Sequence, residues 1–321
     1  MTDPLATEAA PVDPGSSGTL HPFVAGSRAA GAVLPAPPYE PSTPVEIRDV
    51  SVPGLHGAPD FRVRIYTPTG HEGKLPGLLF LHGGAFILSL VDFFDSQTTR
   101  IAAEVGAVVV SVDYRVAPEA PFPAGMEDGY AALEWMVEHV DELGVDPQRI
   151  GIAGESAGAN LAAAVALAAR DRNGPRLTMQ YLGLPVLDDR LETPSMNTFV
   201  DTPGFNRRNA EVMWDSYLGG TKTKRGDDVS PYAAPARVED LAGLPPTYIA
   251  LAEFDPLRDE GFAYAQRLIT AGVPTELRHF PGASHGVSEL NPDAEVSRRM
   301  IAGQLDAFRR GLHGDASSPS V

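Results

Sequence analysis

The chain has 321 residues and a formal net charge of −17, long enough for one large core, or for a core plus a lid. So acidic a chain is poorly suited to a nucleic-acid backbone or an anionic lipid surface, which are held by clustered Lys and Arg; solubility alone accounts for the charge. The absence of cysteine excludes a disulfide framework, a thiolate metal site and a cysteine nucleophile.

Residues 1–20, rich in Ala, Pro, Ser, Gly and acidic residues, read as a disordered tail. They lack the basic start and apolar stretch of a secretory leader, and no later apolar run reaches membrane-spanning length. A cytoplasmic protein without stable membrane anchoring is expected. Residues 21–44 are proline-rich but carry Phe23, Val24, Val33, Leu34 and Tyr39; they should pack on something without forming a regular element. Val45-Ile47-Val50-Val52 and Phe61-Val63-Ile65 predict two strands that open a sheet. Leu78 to Leu81 is a continuous apolar run, as in a strand buried on both faces.

That strand runs into His82-Gly83-Gly84-Ala85-Phe86, where adjacent glycines let backbone N–H groups face a ligand. A helix over Thr98–Val105 and a buried strand over Ala107–Val112 follow. The next loop holds Pro118, Pro121 and Pro123, which rule out a continuous helix or central strand. Within it, Tyr114, Arg115 and Glu119 fit either a polar brace for the glycine loop or a surface salt bridge. A helix from Met126 to Val140 and a Gly-Val-Asp-Pro turn lead to the strand Ile150–Ala153.

Gly154-Glu155-Ser156-Ala157-Gly158 comes next, followed by an alanine-rich run of helical length. Strand, tight turn and helix would lift the Ser156 hydroxyl clear of the sheet and aim the helix N-terminus at any charge that develops there. The pentapeptide pattern alone is weak, arising by chance in roughly one chain of such glycine content in six. A second copy, Gly282 to Gly286 around Ser284, is not followed by such a helix, so its glycines read as a loop around His285.

Met179–Leu184 predicts a further strand. Residues 188–240 break the strand–helix rhythm and carry one amphipathic helix near Asn209–Leu218, with Met213, Trp214 and Tyr217. Aromatics at this spacing usually belong to a core, but an inserted lid over an active site has the same look, and the lid reading is adopted. Thr221-Lys222-Thr223 lacks the glycine of a phosphate loop. The rhythm then returns with a strand over Thr247–Phe254, a helix over Leu257–Ile269, a strand over Glu276–Phe280 and a last helix from Ala294. Asp255 and His285 each follow a strand, where active groups of open parallel sheets sit. His279, inside a strand, and His313, near the chain end, read as structural. Asp259 reads as a secondary partner of the site or as an N-terminal helix charge. No histidine pairing suggests a metal, and no cofactor is expected.

Together the motifs resemble the hormone-sensitive-lipase-like branch of the α/β-hydrolases, mostly carboxylesterases, over about residues 75 to 312. His82-Gly83-Gly84, Asp113-Tyr114-Arg115 with Ala117-Pro118-Glu119, Gly154 to Gly158, Ser230-Pro231, Asp255 to Asp259 and His285-Gly286 occur in the family's order. The resemblance implies an α/β-hydrolase fold: a mostly parallel central sheet with helices on both faces, built from residues 45–187 and 226–312, and a helical cap. The cap would comprise 21–44 and 188–225, leaving 313–321 as a C-terminal tail. Three departures stand out: Ala85 replaces a frequent third glycine, Glu155 the commoner aspartate, and Val287 the usual phenylalanine, which would widen the pocket.

The expected activity is hydrolysis of short- to medium-chain acyl esters. Ser156 attacks, His285 is the base and Asp255 orients it. Gly84, Ala85 and Ala157 donate to the oxyanion, with Gly83 shaping the loop. Phe86, Met213, Trp214, Tyr217 and Val287 are the expected pocket wall. A small-molecule ester is the expected partner, and a homodimer is the assembly considered. With histidine as base, activity should fall as pH drops through roughly 6 to 7. Amide, formamide or lactone hydrolysis would use the same three residues. A non-catalytic receptor on this fold is the other rival; His285, which plant gibberellin receptors of this resemblance have lost, argues against it.

Overall fold

The computed structural model describes residues 20–219 and 228–314. Eight strands form one sheet: β1 (Val45–Val52), β2 (Phe61–Pro68), β3 (Leu75–Leu81), β4 (Val108–Val112), β5 (Val145–Glu155), β6 (Met179–Gly183), β7 (Thr247–Phe254) and β8 (Thr275–Ser284). Their order is β1-β2-β4-β3-β5-β6-β7-β8. Pairings β1–β2 and β2–β4 are antiparallel, and all others are parallel. All the carboxyl ends from β3 to β8 therefore open on one rim.

The helices are α1 (Pro22–Gly31), α2 (Asp95–Ile101), α3 (Ala124–Glu138), α4 (Val140–Leu143), α5 (Ala157–Asp171), α6 (Pro194–Thr198), α7 (Arg207–Tyr217), α8 (Arg258–Thr270), α9 (Val287–Leu290) and α10 (Glu295–His313). The two-residue period of a strand sends successive side chains to opposite faces. Leu79 and Leu81 of β3 join α3, α5 and α8 in one core, whereas Leu78 and Phe80 join α2 and α10 in another. This is why the run Leu78 to Leu81 is apolar without alternation. No helix among the described residues is long and apolar enough to cross a membrane.

Several expectations change. Residues 22–31, expected to be irregular, form α1: Pro22 sits in its first turn and the His21 ring caps it by accepting from Phe23 N at 3.2 Å. Proline presets the helical φ there and gives up an N–H that would have no partner anyway. The helix expected over Thr98–Val105 starts at Asp95, and its last stretch, Ala102–Gly106, widens into π-helical bonding. Strand β5 already begins at Val145, and its pairing with β3 shifts register before Gly77. The 188–240 stretch holds α6 as well as α7. Residues 1–19, Thr221 to Thr223 and 315–321 lie outside the described residues, while α10 extends to His313.

The glycines of the described residues allow their closest approach to backbone atoms between α5 and the sheet. A methyl group on Gly158 would lie 2.0 Å from Leu81 O, and one on Gly154 would lie 2.1 Å from Gly158 O. Backbone atoms cannot yield as a side-chain tip can, so Gly158→Ala must push α5 off β3. The expected loss is about 3 kcal/mol, the upper end of ordinary overpacking; the urea midpoint measures it, and an unchanged midpoint would contradict the packing.

Candidate active site

Ser156 is the hinge between β5 and α5. Its φ of 54° and ψ of −117° are strained for a residue with a side chain. The turn is locked by Ser156 N donating to Gly183 O at 2.7 Å, and by Ala159 N and Asn160 N donating to Ser156 O at 3.0 and 3.2 Å. The hydroxyl accordingly stands over the rim, with the first turn of α5 beneath it.

The rim brings Asp255 and His285 to the same place, because β7 and β8 are neighbours and each residue directly follows its strand. His285 Nε2 lies 2.9 Å from Ser156 Oγ, and His285 Nδ1 lies 2.8 Å from Asp255 Oδ2. Asp255 Oδ1 accepts from Leu257 N at 2.9 Å, which fixes the carboxylate. With side-chain exposures of 12% for His285 and 1% for Asp255, the pair is shielded from water. A carboxylate can only accept from Nδ1–H, so the neutral imidazole presents its Nε2 lone pair to the Ser156 hydroxyl. Burial pulls the His285 pKa down, but the charge and hydrogen bond of Asp255, aided by Glu289, outweigh it and leave the value raised.

Three other candidates lie apart from this line. Asp259 Oδ2 accepts from Ser195 N at 2.7 Å and so anchors α6. Ser284 ends β8, and His279 lies within that strand.

The glycine loop faces the hydroxyl. Gly83 packs so close that a Cβ there would lie 3.5 Å from that of Ser156. Gly84 has φ +136°, and a Cβ would fall 2.8 Å from Leu88 O. Ala85 and Phe86 follow at φ 52° and 59°, and the turn closes with Ile87 N and Leu88 N both donating to Gly84 O at 3.0 Å. Among the described residues, no turn or loop carbonyl accepts from the N–H of Gly84, Ala85 or Ala157. These donors are therefore available to a negatively charged oxygen at the serine.

The suspected polar brace divides among three partners. Tyr114 stacks on the His82 ring at 4.3 Å and donates to His82 O at 2.8 Å. His82, its pKa lowered to about 4 by burial, stays neutral and donates through Nδ1 to Gly83 O at 2.7 Å. Arg115 pairs with buried Asp128 at 2.8 Å, and Glu119 pairs with Arg28 at 2.6 Å.

A cavity of about 460 Å³ opens over Ser156, His285, Gly83, Gly84 and Ala85. Its apolar wall includes Phe23 and Leu34 from the N-terminal segment, Leu88, Phe93, Phe205 and Leu290. The expected wall is not the observed one: Phe86, Met213, Trp214 and Tyr217 are each at most 2% exposed and belong to the main core. The aromatic stripe of α7 turns inward, with Tyr217 stacked on Phe86 at 3.8 Å. Val287 packs against the second core rather than on the cavity. Phe23 and Leu34 were visible in sequence as apolar residues in a proline-rich stretch; Phe205, Glu289 and Leu290 carried no such signal. Glu155 and Glu289 also reach the cavity. Burial first, and the Glu289 charge next, hold the Glu155 carboxyl well above the usual range; burial likewise raises Glu289. Among the described residues no cluster could hold a metal ion.

Comparison with known proteins agrees with this geometry. A family model for the alpha/beta hydrolase fold matches residues 78–289. Carboxylesterase NlhH of Mycobacterium tuberculosis is 38% identical over 288 residues, 89% of each chain. An ethyl acetate hydrolase of Pseudomonas putida is 31% identical over 78% of each chain. Among solved structures, a bacterial heroin esterase superposes with a TM-score of 0.85 at 46% identity, covering 90% of this chain and 92% of that one.

The raised pKa of His285 sets the sign of the pH response. If neutral His285 acts as the base, kcat/KM should hold above the raised pKa and fall tenfold per unit below it. The midpoint is expected above about 6.5, the unperturbed value. Asp255→Asn removes the raising partner, so a pH–rate profile should show the midpoint displaced to lower pH, with kcat about 10⁴-fold lower. A midpoint that ignores the substitution would separate Asp255 from His285 in function.

Proposed function

The chain belongs to the α/β-hydrolase fold family, in its hormone-sensitive-lipase-like carboxylesterase branch, and from that membership we infer that Ser156, His285 and Asp255 carry out its ester hydrolysis. The observation that supports the roles most directly is the unbroken line of hydrogen-bond distances, 2.9 Å from Ser156 Oγ to His285 Nε2 and 2.8 Å from Nδ1 to Asp255. Ser156 Oγ bonds to the ester carbonyl carbon as its proton passes to Nε2. The carbonyl oxygen becomes an oxyanion held by the N–H groups of Gly84, Ala85 and Ala157, in the water-poor setting where such donors count most. As the tetrahedral adduct collapses, Nε2 returns the proton to the departing alkoxide and leaves an acyl-serine. Water, deprotonated by the same nitrogen, then attacks the acyl carbon, and collapse releases the carboxylic acid with Ser156 reprotonated. Asp255 stabilises the imidazolium in both halves.

The preferred substrates are esters of short- to medium-chain acids. A largely apolar cavity of about 460 Å³ supports this range, as does the Pseudomonas putida relative named for ethyl acetate. The cap is assigned to residues 21–44 with 188–225. In support, Val24 of α1 is buried with Ile87 and Ala117, and Val212 of α7 packs against that cluster.

Ser156→Ala should lower turnover of a p-nitrophenyl acyl ester by about 10⁶-fold and abolish labelling by a fluorophosphonate, while Ser284→Ala keeps most of both. The opposite pattern would move the nucleophile. Across p-nitrophenyl esters of increasing acyl length, kcat/KM should peak among the short and medium chains; a steady rise into long chains would refute the assigned range.

A further inference from the structure

We propose that Arg28 of α1 is a positioning residue for the oxyanion turn, its guanidinium clamping that turn to the 117–119 loop. The inference rests on the esterase reading above.

Arg28 makes four hydrogen bonds to three partners. Nε donates to Ile87 O at 2.9 Å and Nη2 to Ala117 O at 2.9 Å, while Nη1 and Nη2 reach Glu119 Oε1 and Oε2 at 2.7 and 2.6 Å. Ile87 directly follows Ala85 and Phe86, the two residues held at positive φ, and Ala117 N donates to Phe86 O at 2.8 Å. One guanidinium thus fixes both the residue after the strained pair and the loop that holds the pair's own carbonyl. Backbone strain of this kind costs about 1–3 kcal/mol per residue and persists only where surrounding contacts over-determine it.

Arg28 itself does not line the catalytic cavity, so direct substrate contact does not explain its placement. Its helix does: Phe23, Ser27, Ala30 and Gly31 of α1 form part of the wall. The same rigid element therefore touches substrate on one face and holds the oxyanion donors on the other. A lysine could not replace it, because a single ammonium cannot bind a carboxylate bidentately and reach two separate carbonyls in a planar fork.

The test uses the full-length protein with Arg28→Lys, Arg28→Ala and Glu119→Gln, a p-nitrophenyl ester, and a trifluoromethyl ketone as a mimic of the tetrahedral adduct. Arg28→Lys and Arg28→Ala should lower kcat on the order of 10- to 100-fold, less than or equal to loss of a whole donor, with KM changed little. Affinity for the ketone should fall in parallel. Methylguanidine should restore part of the Arg28→Ala activity and leave the wild type unchanged. Glu119→Gln, which keeps both carbonyl contacts, should cost less than Arg28→Ala. Wild-type kcat in Arg28→Lys, or a loss carried by KM alone with ketone affinity intact, would overturn the proposal. If Arg28→Ala fails to fold, the Arg28→Lys kinetics decide. A wild-type protein that turns over no ester would instead refute the esterase reading, so the two failures are distinct.

Discussion

The close approach of the first turn of α5 to the ends of β3 and β5 is the constraint on which the site depends. Gly154 and Gly158 allow it, since side chains at either position would meet backbone atoms near 2 Å. Only with α5 this low can Ser156 occupy its strained turn and place its hydroxyl over the rim. The strain of one residue is thus held by the packing of a whole helix on a sheet, and the energy comes from the apolar surface that α5 buries. Asp255 and His285 need no comparable device, because adjacent parallel strands already deliver them to the rim.

The second strained turn, Gly84 to Phe86, has no helix following it and is held from outside instead. Phe86 lies under Tyr217, whose ring also meets Phe122 edge-on at 5.9 Å. Tyr114 holds the loop's start through His82 O. The turn is therefore fixed by elements distant in sequence: α7 stacks on it, the proline-rich loop bonds to its entry, and α1 reaches it through Arg28. The aromatic stripe of α7 packs behind this turn rather than on the cavity.

This division explains what the sequence could reveal. The alternation of strands and helices, the glycine turns and the positions of Asp255 and His285 just after strands are local signals, and each marks a place on the rim of the sheet. The cavity wall is not local. Met213, Trp214 and Tyr217 have the spacing of an inward-facing stripe, and that spacing is the same whether the stripe meets a core or a ligand. Phe205 and Leu290 reach the wall from the segment before α7 and from the end of α9, a placement that no periodicity encodes. Helix α1 was obscured by prolines read as breakers, although Pro22 occupies the position in a helix where proline is favourable. The Arg28 clamp joins residues 59 to 91 positions apart, too far for any spacing rule.

Glu155 shows how one departure from a family pattern can be absorbed. The longer side chain lets Oε1 accept from Gln97 Nε2 at 3.0 Å and from Gln304 Nε2 at 2.8 Å, so the residue before the nucleophile joins α2 and α10 to the end of β5. It also needs space on the neighbouring strand. At Gly183, Ser156's backbone partner, a Cβ would fall 1.8 Å from Glu155 Oε2, so a side chain there would displace the glutamate carboxyl from its place. Burial, and next the nearby Glu289 charge, raise the pKa of this carboxyl, which is 6% exposed. The chain thus lengthens the side chain next to Ser156 and accommodates it with a glycine on the neighbouring strand and two amide donors from α2 and α10.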